Sequence, residues 1–182
     1  QMVSAFNTFP GKGVYAEPIY VTRIEDKNGN VLATFSPRKK EAINEHTAYL
    51  MVNLMKGVVQ EGTGIRARLL YVTESEMAGK TGTTNENADG WFIGYLPKLT
   101  AGVWVGAEDR QVHFNTTAMG GGSNTALPIW GIFMKKVLED GSLGVTKYDK
   151  FIPPQGFKLS LDCNGSDQDM NNNSESQDSF FE

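Results

Sequence analysis

Three short runs, residues 77–84, 90–95 and 101–106, follow one another so closely that few topologies can hold them. They are rich in Trp, Phe, Val and Tyr, and Asn, Asp, Gly and Pro separate them, which is the pattern of strands and turns. A parallel crossover needs about a dozen residues or more, so gaps this short dictate antiparallel hairpins. Upstream, residues 20–24 and 31–35 read as two more strands. Between them lies Asp26-Lys27-Asn28-Gly29-Asn30, a hairpin-turn sequence in which Asn-Gly tolerates positive φ. The expectation is therefore an antiparallel five-stranded sheet.

Helices supply the remaining layers. Met51, Leu54, Met55, Val58 and Val59 fall at helical spacing and make one apolar stripe, with Asn44 placed to cap the start and Gly62 or Gly64 to end it. Residues 65–70 read as a further helical turn. Met2, Val3, Ala5 and Phe6 read as the last turns of a helix stopped by Pro10, Gly11 and Gly13. After the loop Gly120-Gly121-Gly122, a last helix capped by Asn124 or Thr125 presents Trp130, Phe133, Met134, Val137 and Leu138. Helices on an antiparallel sheet make an α+β fold.

Charge divides the chain. Residues 1–161 hold 17 basic and 15 acidic side chains, and residues 162–182 hold six acidic ones and no Lys or Arg. That second stretch, rich in Asn, Ser, Gln and Asp, is expected to be a disordered acidic tail carrying the lone Cys163 and the apolar pair Phe180-Phe181. One cysteine and two distant histidines, His46 and His113, give no support for a metal site or cofactor. The mild acidity argues against a nucleic-acid binder. No apolar run reaches the ~20 residues needed to cross a bilayer.

Chemistry concentrates at Ala78-Gly79-Lys80-Thr81-Gly82-Thr83-Thr84-Asn85. A phosphate-loop reading of Gly-Lys-Thr fails, because the glycine it needs five positions before Gly79 is Glu74, and strand rather than helix follows. The alternative is the Lys-Thr-Gly strand of serine acyl-transferases. There a lysine ammonium attracts a substrate carboxylate, and a glycine lets the acyl chain lie against the strand edge. A following N–H then donates to the oxyanion, an interaction worth about 3 kcal/mol in acyl-transfer enzymes.

The surrounding motifs agree in order. Gly57-Val58-Val59 to Gly62-Thr63-Gly64, the Lys-Thr-Gly element, Asp89-Gly90-Trp91-Phe92-Ile93-Gly94-Tyr95 with Pro97, and Ala101-Gly102-Val103-Trp104-Val105-Gly106 closely resemble the C-terminal part of the transpeptidase domain of class A (bifunctional) penicillin-binding proteins. Gly121-Gly122 and Ala126-Leu127-Pro128-Ile129-Trp130 to Phe133-Met134 resemble that family's closing helix. The resemblance spans about residues 1–140. Class A β-lactamases share Lys-Thr-Gly but not the Trp-rich strands.

The resemblance implies a peptidoglycan D,D-transpeptidase that acts on D-Ala-D-Ala stem peptides and is a β-lactam target, exposed outside the cytoplasm and anchored by an upstream transmembrane helix. It implies that Lys80 is the active-site lysine, that Thr81 points a hydroxyl into the cleft and that Gly82 permits close approach. Thr83 would supply an oxyanion N–H and a carboxylate-binding hydroxyl, with Thr84 and Asn85 as cleft neighbours. Trp91, Phe92 and Trp104 read as sheet packing.

Two family elements have no counterpart. Ser-x-Asn does not occur, and Ser-x-x-Lys occurs once, as Ser36-Pro37-Arg38-Lys39. A nucleophile of this class needs a desolvated lysine beside its serine, whereas this match follows a hairpin strand among charged residues, which makes Ser36 a decoy. The expectation is that the chain is the latter part of a larger domain, that the nucleophile and helical part lie upstream, and that the chain alone is inert and prone to self-association. A second reading is a non-catalytic module that binds peptidoglycan peptides or a protein partner by strand addition.

Overall fold

The computed structural model describes residues 1–159 and residue 161, so the expected tail at 162–182 lies outside the described residues. Five helices and seven strands are described: α1 (Met2–Asn7), β1 (Val14–Ala16), β2 (Arg23–Glu25), β3 (Val31–Thr34), β4 (Lys39–Glu41), α2 (Glu45–Gln60), α3 (Ile65–Leu70), β5 (Ala78–Thr83), β6 (Asp89–Leu96), β7 (Leu99–Gly106), α4 (Thr117–Gly120) and α5 (Ala126–Glu139).

The α+β class with antiparallel strands is as expected, but the single five-stranded sheet is not. The strands divide into a three-stranded sheet ordered β5-β6-β7 and two separate two-stranded pairs, β1-β4 and β2-β3. The hairpin stands apart: every residue of β2 is exposed, and among the described residues neither of its strands pairs with the main sheet. Its turn is as the sequence predicts: the Asp26 carboxylate accepts the N–H groups of Asn28 and Asn30 at 2.8 and 2.9 Å, and Gly29 takes φ 84°. The pair β1-β4 was not foreseen, since Lys39-Lys40-Glu41 are all exposed and carry no apolar alternation.

Register sorts the main sheet into two faces. Thr81 pairs with Phe92 and Phe92 with Val103, so Gly79, Thr81, Thr83, Phe92, Gly94 and Val103 share one face. There Phe92, Leu96, Leu127, Trp130 and Met134 form the main core beneath α5 and α3. Gly94 has no side chain because the Trp130 ring lies in its place, within 2.7 Å of where a Cβ would sit. Trp130 Nε1 donates to the Gly94 carbonyl at 3.2 Å, which satisfies the indole in the core.

The opposite face carries Ala78, Lys80, Gly82, Trp91, Ile93, Tyr95 and Trp104, and α1 lies against it. A second core joins Val52, Ala78 and Tyr95 to Phe6, Phe9, Met55 and Phe151. Burial pushes the Tyr95 phenol above its usual range, and its hydroxyl reaches Met55 Sδ at 3.3 Å.

The long helix α2 begins where the sequence predicts, with Asn44 Oδ1 accepting the Thr47 N–H at 2.7 Å. Its buried residues are Ala48, Val52 and Val59, not the full expected stripe, and Leu54 is 69% exposed. In α5, Phe133 is likewise half exposed while Trp130, Met134 and Val137 are buried. After α5 a strap, residues 144–159, runs back across the molecule. Lys98 holds Asp149 at 2.6 Å, Phe151 packs on Tyr95, and Phe157 meets the Tyr49 ring at 5.0 Å. Among the described residues, no helix is long and apolar enough to cross a membrane.

Candidate active site

The Lys-Thr-Gly segment is β5 itself, an edge strand of the main sheet, so among the described residues one side of its backbone has no strand partner. Lys80 stands exposed on the α1 face and donates to the Thr81 carbonyl at 2.9 Å. The ion pairs among the described residues do not include it. An open cleft of about 450 Å³ lies in front, lined by Lys80, Gly82, Thr83, Trp91, Met2 and Phe6 among others.

Thr81 and Thr83 point to the other face. Thr81 Oγ1 lies 2.8 Å from Thr63 Oγ1, and Thr83 Oγ1 accepts the Gly122 N–H at 3.1 Å. Gly122 can approach this closely only because it has no Cβ. A Cβ there would sit 2.3 Å from the Trp91 carbonyl oxygen and 2.5 Å from that of Gly82. Gly82 packs against Trp91, whose Cβ lies 3.1 Å from the position a Gly82 Cβ would take.

Thr84 and Asn85 belong to the turn between β5 and β6. Thr84 Oγ1 accepts the Asp89 N–H at 2.9 Å and donates to the Asp89 carboxylate at 3.1 Å, so its hydroxyl is engaged locally. Asn85 opens a short exposed 3₁₀ turn. The strand thus brings Lys80, Thr81, Gly82, Thr83 and Thr84 to one cleft. The Thr81 hydroxyl, expected to point into it, is turned to the face opposite Lys80 and engaged by Thr63, and Thr84 fixes the turn.

Of the aromatic residues read as packing, Phe92 is wholly buried against Trp130, with centroids 5.0 Å apart. Trp91 and Trp104 pair across strands on the cleft face at 6.4 Å, and Trp104 Nε1 donates to Asp89 at 2.8 Å. Ser36 is exposed on the link into β4, and Lys39 is exposed as the first residue of that strand. Sequence reasoning missed Met2 and Phe6 as cleft walls, Asp89 as the brace of the turn, and Thr63 and Gly122 as partners of the threonines. The triple glycine was the only signal for the last.

A lysine-bearing edge strand, helices on both sheet faces and an open cleft in front of the strand are the features the structure brings together. The chain belongs to the penicillin binding protein transpeptidase domain family, whose model matches residues 1–131. It is 36% identical over 137 residues to penicillin-binding protein 1A of Aquifex aeolicus, covering 75% of the chain and 18% of that relative. The crystal structure of penicillin-binding protein 1A from Haemophilus influenzae superposes with TM-score 0.72 at 21% identity, over 85% of the chain and 28% of the structure. The D,D-transpeptidase domain of a peptidoglycan glycosyltransferase from Eggerthella lenta follows at TM-score 0.59 and 27% identity, over 76% and 31%. The chain therefore spans well under two thirds of the relatives it matches.

Proposed function

We propose that the chain supplies the Lys-Thr-Gly wall of a peptidoglycan D,D-transpeptidase working outside the cytoplasm on stem peptides ending in D-Ala-D-Ala. The observation that carries this reading is Lys80, exposed over the cleft on an unpaired strand edge with no carboxylate beside it among the described residues. The peptide lies extended along β5, its carboxylate drawn by the Lys80 ammonium and the Thr83 hydroxyl. As a serine attacks the penultimate carbonyl, the Thr83 N–H donates to the developing oxyanion, and D-alanine leaves an acyl-serine for the acceptor amine. Gly82 keeps the strand edge open to that chain. β-Lactams occupy the same wall.

The nucleophile is not Ser36, whose lysine is solvated, so the chain by itself forms no acyl-enzyme. Incubation with a fluorescent penicillin, followed by denaturing gel electrophoresis, is expected to leave it unlabelled, and Ser36-dependent covalent label would refute that. In a protein joining this segment to a Ser-x-x-Lys helix, Lys80→Ala should slow acylation about 100-fold. Unchanged acylation would remove Lys80 from the site. The non-catalytic alternative uses the same strand edge, and it predicts reversible peptide binding with no acylation in any longer form.

A further inference from the structure

The strap, residues 144–159, meets the entrance to β5 at Phe151. The Phe151 N–H donates to Glu76 Oε2 at 3.0 Å, two residues before β5 begins. The Phe151 ring packs edge-on against Tyr95, with centroids 5.9 Å apart. Tyr95 is the register partner of Ala78, the first residue of β5. One strap residue therefore grips two adjacent strands at the same level, one through its backbone and the other through its ring.

Glu76 is held from α2 as well. Lys56 of that helix lies 3.7 Å from Glu76 Oε1, and Lys150 of the strap lies 3.8 Å from the same oxygen. The side chains of Lys56 and Glu76 are only 22% and 26% exposed, so salt screens this pair less than a surface pair. A carboxylate has acceptor room for all three groups. Without it, the Phe151 N–H loses its partner and two ammonium groups are left facing each other.

Little slack separates Glu76 from Lys80. Met77, Ala78 and Gly79 lie between them, and all three are buried. A Cβ on Gly79 would sit 2.9 Å from the Ile93 carbonyl oxygen and 3.0 Å from the Phe92 ring, so the backbone there is packed hard against its neighbours. Val52 of α2 and Tyr95 share a core with Ala78. A close-packed segment transmits a displacement rather than absorbing it. Because β5 has a strand partner on one side only among the described residues, its placement depends on its ends as well as on β6.

We propose that Glu76 is a positioning residue for Lys80: its carboxylate, gripped by the strap and by α2, sets where β5 begins. This assignment rests on the transpeptidase reading of β5 and goes beyond it, because it makes the strap a working part of the site. Glu76 itself touches no substrate and acts through the strand.

The test is ¹⁵N nuclear magnetic resonance of the full chain without ligand, comparing wild type, Glu76→Ala and Glu76→Gln. Glu76→Ala should move the amide signals of residues 77–83 and speed hydrogen exchange of the β5 amides about tenfold, with the β6-β7 ladder unaffected. Glu76→Gln keeps an acceptor for the Phe151 N–H and loses the pull of the lysines, so it should produce part of that change. Asn44→Ala is the control, since it lowers stability at the far end of α2 and should leave the β5 amides where they are. In a protein joining this segment to a Ser-x-x-Lys helix, Glu76→Ala should slow acylation by fluorescent penicillin about tenfold, and Glu76→Gln should recover much of the rate. If Glu76→Ala fails to fold, Glu76→Gln decides, and β5 amides coincident with wild type would overturn the proposal. So would an equal β5 response in Asn44→Ala. Unmoved β5 amides, beside a Lys80→Ala variant that loses acylation, would overturn the role of Glu76 and leave the transpeptidase reading standing. Moved amides beside unchanged acylation in Lys80→Ala would overturn that reading, and the catalytic role of Glu76 with it.

Discussion

At Gly122 the chain passes between two carbonyl oxygens with no space for a side chain. Gly122→Ala would drive a Cβ to within 2.5 Å of both the Trp91 and Gly82 oxygens, so the loop must lift off β5. Because the obstacle is backbone rather than a flexible side chain, the expected cost is about 1–3 kcal/mol, read from urea unfolding. The Thr83 amide environment should change with it, and an unaltered variant would show that the loop does not brace the strand. That Lys-Thr-Gly is a strand at the sheet edge was legible here, since the neighbouring motifs fix its place. The partners were not. Thr63 reaches β5 only where α2 has ended, and Gly122 only from the loop after α4, and spacing along the chain does not encode that geometry.

Among the elements, α2 shows how far a pattern can carry. Its start was readable because Asn44 caps locally, and Asn44→Ala should cost about 1 kcal/mol, measured as a lowered unfolding midpoint at unchanged slope. A midpoint equal to wild type would mean that the cap is dispensable. Its buried face was only partly readable. Apolar residues occupy more of the helix than its neighbours cover, so Leu54 faces outward while Ala48 and Val52 face in. Periodicity reports which positions are apolar, and the sheet decides which of them are used. The same reasoning explains Phe133 in α5. In the β2-β3 hairpin the turn chemistry fixed the pairing, but nothing in three exposed residues told where the hairpin would sit.

For the molecule as a whole, exposed apolar side chains are numerous. Tyr20, Leu32, Leu54 and Ile152 are each more than two-thirds exposed. Such surface favours contact between copies, so sedimentation velocity should show a weight-average mass that rises with concentration. A concentration-independent monomer would refute this. The strap is held by charge as well as by rings. Hydrogen bonding to Lys98 holds the Asp149 carboxyl below its ordinary value, and Lys147 does the same for Glu74. A depressed carboxylate stabilises the folded state above its unfolded pKa, near 4, and that contribution is lost as pH falls through the folded value. Amides around Phe151 should therefore lose hydrogen-exchange protection below about pH 4 before those of β6 do. Simultaneous loss would show that the strap is no separate unit.

The strap also carries a consequence for the order in which the molecule assembles. The β6-β7 hairpin closes across a two-residue turn, while the Phe151 N–H reaches Glu76 over a separation of 75 residues. Closing so long a loop is entropically costly until both surfaces exist. The sheet and α2 must therefore form first and offer Tyr49 and Tyr95 as a finished landing place. In refolding, the strap docks after the surfaces it covers on α2 and β6, so its docking reports that those elements are already in place.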